Sequence, residues 1–326
     1  MKNLSEIRQE LSSVLRQTEE FRKEKLSAFN KGVIYTSITV GAGALLLLIG
    51  LTSMNIILII VGGILMLCAI AVYAYTAANH AREFKEKFKS TVLKQMVESI
   101  IPGISYGHDQ FINQSEFNTS QLFSNNANVY KGEDYFAGTI SGTSFKMSEL
   151  TVQKTTKSTS YSNGKTTTKT STHSIFKGIF IIMELPKNAY GETYVLPDSA
   201  EKMLGSFGKF IQKNLGSMFQ KGAMIYLEDH PEFEKDFVVY STEEIESKKL
   251  LTPSLLQSIL EIYTKWKIRP SLAFVYNKVY VAIPTTKNLF KVNMRKSLID
   301  DQQEILQGYL DEIALCINVI EEIADI

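Results

Sequence analysis

Gly32 to Ala78 reads GVIYTSITVGAGALLLLIGLTSMNIILIIVGGILMLCAIAVYAYTAA and holds no Asp, Glu, Lys, Arg or His. Charged residues make up 21% of the whole chain, so an uncharged run of this length marks a change of solvent. Crossing a hydrocarbon layer about 30 Å thick takes roughly 20 apolar residues as helix, because a helix satisfies its own backbone hydrogen bonds there. Two such stretches fit, Val33 to Leu51 and Ile56 to Ala77, with Thr52, Ser53, Met54 and Asn55 left for a tight turn. Tyr35, Tyr73 and Tyr75 stand toward the ends away from that turn, where amphipathic rings favour a membrane interface. Gly41, Gly43, Gly50, Gly62 and Gly63 permit close helix approach, although none of the pairs within one span has the GxxxG spacing. A cleaved secretory leader is the competing reading, but some thirty helix-like residues precede the first span.

The flanks give the hairpin a direction. Lys2, Arg8, Arg16, Arg22, Lys23, Lys25 and Lys31 come before the first span, and Arg82, Lys85, Lys87, Lys89 and Lys94 follow the second. The turn between has no basic residue, so both termini are expected on the cytoplasmic side. This predicts a multi-pass membrane protein with its remaining mass in the cytoplasm.

Leu4, Ile7, Leu11, Val14, Thr18 and Phe21 step by three and four, the stripe of an amphipathic helix over 1–31. Phe84, Phe88, Val92, Met96 and Ile100 draw a second stripe on a stalk helix over 79–101, ended by Pro102 and Gly103. A short turn makes the spans antiparallel, so the two stripes emerge side by side and can bury each other. Self-association or a coiled coil with a protein partner is the alternative use of those faces. Leu306, Leu310, Ile313, Ile317 and Ile320 mark a third amphipathic helix, within 299–326.

Between these helices, 103–298 reads as a cytoplasmic α+β domain. Tyr135 to Ile140, Ser144 to Gln153, Ser174 to Leu185, Thr193 to Leu196, Ala223 to Leu227 and Phe237 to Tyr240 have strand character, and Ala200 to Phe219 reads as helix or loop. Glu243 to Leu250 and Ser254 to Trp266 look helical, the second with Thr252 as N-cap and Pro253 at its first position. Leu272 to Tyr276 and Val279 to Ile283 form a hairpin about Asn277 and Lys278. Runs of strands without strict helix alternation favour a mainly antiparallel sheet.

The most biased stretch is 151–172, almost all Thr, Ser and Lys, without an acidic residue and with Asn163 and Gly164 at its centre. Asn-Gly favours the turn of a β-hairpin and Thr is a good strand residue, which predicts a long two-stranded basic arm. Lys154, Lys157, Lys165 and Lys169, with His173 at the arm's end, are the candidate residues for contact with anionic lipid head groups or an acidic partner. His173 could also sense pH near neutrality.

Ordered blocks through the domain carry a resemblance. They are Gly132-Glu133-Asp134 with Gly138 and Ile140; Phe145 with Ser148 and Glu149; Ile175-Phe176-Lys177-Gly178 with Phe180; Val195-Leu196-Pro197-Asp198; Leu227-Glu228-Asp229; Glu232-Phe233-Glu234-Lys235 with Phe237-Val238-Val239-Tyr240; Leu251-Thr252-Pro253; and Asn277 with Val279-Tyr280-Val281-Ala282-Ile283. With the preceding double hairpin, these blocks make the chain similar to an uncharacterised bacterial membrane-protein family, a domain of unknown function in the 3137 series. The resemblance implies the hairpin-plus-domain layout and no known activity, cofactor or catalytic residue.

The residues themselves add little chemistry. A phosphate loop, an HExxH metal motif, a GxSxG elbow and an EF-hand loop are all missing from the sequence. Short SxxK matches at Ser174 to Lys177 and Ser206 to Lys209 lack the motifs that normally accompany them. Glu228, Asp229, His230 and Glu232, with Glu234 and Asp236 beyond, are the densest potential metal ligands, set on a turn around Pro231. They would serve a metal-dependent hydrolase only if their side chains converged. A net charge of +1 gives no basis for nucleic-acid binding. The only two cysteines, Cys68 and Cys316, read as small buried thiols. The leading expectation is a membrane-anchored, non-enzymatic binding or scaffold module without a cofactor, contacting a protein or lipid partner. Behind it stand the hydrolase and a subunit of an oligomeric transporter or channel.

Overall fold

The computed structural model describes residues 4–123, 126–162, 165–185, 191–198 and 222–324. Their contacts divide into two compact units, Met1–Ile100 with Lys291–Leu310, and Ile101–Phe290 with Asp311–Ile326.

The first unit is helical. Helix α1 (Leu4–Thr52) is continuous, so the expected flanking helix and first span are one element. Asn55 then caps helix α2 (Ile56–Ile100), its side-chain oxygen accepting from the N–H groups of Ile57 at 3.0 Å and Leu58 at 3.3 Å. Both helices are long and apolar enough to cross a membrane, and only 11% of the most apolar window of each is buried. Their seam is glycine. A Cβ at Gly62 would stand 2.8 Å from Gly43 O and 2.9 Å from Leu47 N, so only glycine lets the backbones approach this closely. Cys68 is exposed on α2, contrary to its expected burial, because the seam takes Gly62, Ala69 and Ala77 instead.

Outside the apolar run, Phe84, Phe88, Val92, Met96 and Ile100 are all buried. A strict four-residue spacing drifts by roughly 40° per step around a helix of 3.6 residues per turn. A π-helical segment at Lys89–Leu93 widens one turn and brings the stripe back into line. On α1 the expected Ile7, Leu11 and Thr18 are buried, but the face is turned by one position elsewhere: Leu15, Glu19 and Arg22 point inward, while Val14 and Phe21 stay half-buried. The reason is an ion pair that the apolar count could not register. Arg22 Nε and Nη2 each donate to the Glu19 carboxylate at 2.7 Å, Arg22 Nη1 donates to Met294 O at 2.8 Å, and the Leu298 N–H donates to Glu19 at 2.9 Å. The segment 291–298 thus packs within the helical unit, whereas the sequence placed it in the α+β domain.

The second unit is α+β, with nine strands among the described residues in one antiparallel sheet. They are β1 (Ser105–Gly107), β2 (Val129–Ile140), β3 (Thr143–Ser162), β4 (Lys165–Glu184), β5 (Thr193–Pro197), β6 (Ala223–Ile225), β7 (Phe237–Ser241), β8 (Ser271–Val275) and β9 (Lys278–Pro284), in the order β1-β2-β3-β4-β9-β8-β5-β7-β6. On one face Phe176, Phe180, Tyr194 and Tyr280 join Phe117 and Phe123, whose rings stack 5.1 Å apart. On the other, Leu272 and Val281 meet Leu255 and Ile259 of α3 (Pro253–Trp266) and Val319 and Ile323 of α4 (Gln302–Ala324). Burial on both faces explains why the β4 and β9 sequences are nearly continuous apolar runs instead of alternating ones.

Thr252 caps α3 through its hydroxyl, which accepts the Leu255 N–H at 3.3 Å, with Pro253 opening the helix. The β8–β9 turn falls on Tyr276 and Asn277, one position earlier than the sequence suggests, with Tyr276 at φ 57°. The expected helix or loop over 200–219 and the Asn163-Gly164 turn lie outside the described residues. Cys316 is buried as expected, and burial together with the Glu312 charge pushes its thiol up to about 12.

Candidate functional site: a basic ribbon

Strands β3 and β4 pair from Phe145↔Met183 out to Ser162↔Lys165. Their neighbours stop earlier: β2 accompanies β3 only as far as Gln153, and β9 meets β4 only from Gly178 onward. A Cβ at Gly178 would lie 2.1 Å from Ile283 O, so glycine marks the point where β9 closes against β4. From Lys154 to Ser162 and from Lys165 to His173 the two strands have only each other, a ribbon roughly 30 Å long at about 3.3 Å per residue. Its base is pinned by Asn128. That side chain accepts the Thr155 N–H at 2.7 Å and donates to Thr155 O at 2.7 Å, imitating one further strand residue.

The ribbon holds together by local chemistry. Thr155 and Thr172 face each other with hydroxyls 3.1 Å apart, and Thr159 and Thr168 at 3.3 Å. Cross-strand threonine pairs add modest stability without needing a core. Tyr161 is 76% exposed. Thr and Ser supply extended backbone preference and water-compatible surface together, so the ribbon forms without burying anything.

Register then sorts the candidate residues. Paired residues in an antiparallel ribbon share a face, and faces alternate along each strand. Lys154 pairs with His173 and Ser158 with Lys169, while position 165 pairs with 162; all of these fall on one face. Lys157 pairs with Thr170 on the opposite face, together with Tyr161 and the threonine pairs. His173 lies 3.3 Å from Ser171 Oγ through its Nε2. The structure therefore gathers Lys154, Lys169 and His173 on one face and sets Lys157 apart. Period-two alternation could have shown this in the sequence only if the cross-strand register were known, because a slip of one residue exchanges the faces.

The acidic turn resolves differently. Glu232 pairs with Lys235 at 2.8 Å, and Glu234 accepts the Leu227 N–H at 2.6 Å. Asp236 takes Arg269 at 2.5 Å, and that guanidinium also lies 4.1 Å over the Tyr263 ring. Glu228 and Asp229 point to solvent and His230 is half-buried. Among the described residues no group of three His, Cys, Asp or Glu side chains gathers as metal ligands would. Each carboxylate with a partner serves the local fold. Lys177 of the first SxxK match donates to Asn288 Oδ1 at 2.9 Å, and the second match lies outside the described residues.

Sequence reasoning missed the Glu19 and Arg22 pair, whose i, i+3 spacing was the available signal. It also left unread the Gly132-Glu133-Asp134 block. Asp134 sits at φ 58° in a β-bulge, accepts the Tyr106 hydroxyl and sends its N–H to His108 O at 3.2 Å. A tolerant Asp at that left-handed position is a structural requirement of the bulge.

With this geometry in hand, comparison with known families is informative. Residues 174–324 match the family described as Protein of unknown function (DUF3137). The resemblance seen in the sequence blocks is to that same family, and the match runs from within β4 through α4. The blocks before Ser174, including the bulge, and the whole of the ribbon lie outside the matched range. No curated protein and no solved structure matches the chain.

Proposed function

We propose that this chain is a membrane-anchored binding module: its helical hairpin crosses a bacterial inner membrane with both termini inside, and its ribbon contacts an anionic partner in the cytoplasm. Support for the anchor is the uncharged, largely exposed surface of α1 and α2 between Val33 and Ala77. Support for the orientation is the Lys and Arg on both flanks with none at the turn. The stripes of the stalk face one another within one chain, so they favour an intramolecular stalk over self-association through those surfaces. The observation that carries the binding role is the ribbon, which is exposed, rich in lysine, without an acidic residue and joined by no further strand along either outer edge among the described residues.

Two experiments test this. A reporter fused after Ile326 should be active only in the cytoplasm, and periplasmic activity would overturn the orientation. The full chain in neutral phosphatidylcholine nanodiscs should bind a polyanion, either polyglutamate or anionic vesicles, and lose that binding when Lys154, Lys157, Lys165 and Lys169 all become Gln. Binding that ignores these substitutions would remove the ribbon from the function.

A further inference from the structure

The register of the ribbon permits a sharper statement, which rests on the binding role proposed above. We propose that the ribbon is one-sided: the face carrying Lys154, Lys169 and His173 docks on anionic lipid head groups, and the Lys157 face does not take part. On the first face the basic positions recur with their cross-strand partners at 154/173, 158/169 and 162/165. Four residues separate successive rows, which sets the charges about 13 Å apart along the ribbon.

Two features of that face fit a lipid surface better than a folded protein. Its only cations are lysines, which act as point charges, and 151–173 contains no arginine to fork onto a carboxylate. It also offers no aromatic or large apolar anchor of the kind that dominates protein interfaces, since Tyr161 stands on the opposite face. Small Ser and Thr side chains fill the space between the lysines, so the charges can approach a head-group plane together. With no acidic residue in 151–173, nothing on the ribbon opposes that approach. The backbone sets a depth limit, because both outer edges carry unpaired N–H and C=O groups that cannot enter hydrocarbon. The docked ribbon therefore lies flat among head groups.

The test uses the full chain in phosphatidylcholine nanodiscs, mixed with vesicles of 70% phosphatidylcholine and 30% phosphatidylglycerol, with pure phosphatidylcholine vesicles as the control. Wild type should bind the anionic vesicles only, and the affinity should fall with added salt. A juxtamembrane lysine contributes about fivefold. K154Q/K169Q should therefore bind roughly 25-fold more weakly, while K157Q stays within a factor of two. Unchanged circular dichroism melting of both variants keeps the comparison on binding. If K157Q loses as much as K154Q or K169Q, the one-sided face is wrong. If wild type ignores the vesicles but binds polyglutamate in a lysine-dependent way, the lipid assignment falls while the binding role stands. If it binds neither, both fall.

Discussion

The helical hairpin and the β ribbon are both antiparallel excursions with exposed surfaces and little core of their own, and they solve the backbone problem in opposite ways. Between Val33 and Ala77 every peptide group of the two helices can be satisfied within its own helix, so the side chains are at liberty to be apolar throughout. Between Lys154 and His173 each strand finds partners only on its inner edge. The outer edges need water, and the side chains are accordingly Thr, Ser and Lys. The contrast teaches that exposure alone says nothing about surroundings. Where the hydrogen bonds go decides which exposed hairpin suits hydrocarbon and which suits a polar interface.

The two excursions also differ in what lies beneath them, and this is where the contrast can be broken. Below the helical hairpin sits the buried Glu19 and Arg22 pair, 4% and 6% exposed. Glu19→Ala leaves the guanidinium and the Leu298 N–H without their carboxylate and should destabilise the helical unit by about 3–5 kcal/mol. Thr168→Ala on the exposed ribbon should stay within about 0.5 kcal/mol. Thermal unfolding of the full chain in nanodiscs reads both, and equal effects would dissolve the distinction.

The same pair predicts an acid transition. Burial pushes the Glu19 carboxyl up, but the hydrogen bonds from Arg22 and the Leu298 N–H, with the charges of Arg22 and Lys23, hold it below its ordinary value of 4.5. A carboxyl depressed in the folded state stabilises fully above that ordinary value and loses its contribution as pH falls through the folded one. Stability of the helical unit should decline below about pH 4.5, and Glu19→Gln should flatten that decline. A pH series of melting curves on both proteins decides it.

A smaller effect tests the seam. Gly62→Val drives a side chain into Gly43 O and the Leu47 backbone and should cost about 1–3 kcal/mol through forced separation of the helices. Crosslinking between cysteines introduced on α1 and α2 should weaken in parallel. Smaller again, Asn128→Ala removes the pin at the ribbon's base, worth about 0.5–1.5 kcal/mol. Amide exchange at Thr155 should quicken by up to about tenfold with global melting unchanged; a global shift would mean that the ribbon is coupled to the sheet's core after all.

Much of this was legible without coordinates wherever a periodic signal had a single interpretation. The uncharged window, the stripe from Phe84 to Ile100, the Thr252 and Pro253 start of α3 and the strands around Ile179 and Val281 all follow from local rules. Those rules misplaced the inward face of α1, because Glu19 and Arg22 look like surface residues until Met294 and Leu298 arrive from nearly the other end of the chain. Whether the side chains of the acidic turn converge was beyond local rules: Arg269 takes Asp236 and Lys235 takes Glu232, while Glu228 and Asp229 face solvent.

By itself, the sequence determined which stretch can leave water, since an uncharged apolar run of that length can satisfy its backbone as helix. It also determined that the ribbon would form, because Thr, Ser and Asn-Gly act through local backbone preference. Only the tertiary structure decided which lysines share a face and which charges are buried. Both depend on registers between segments far apart in the chain, and a one-residue slip reverses a strand's faces without altering its composition.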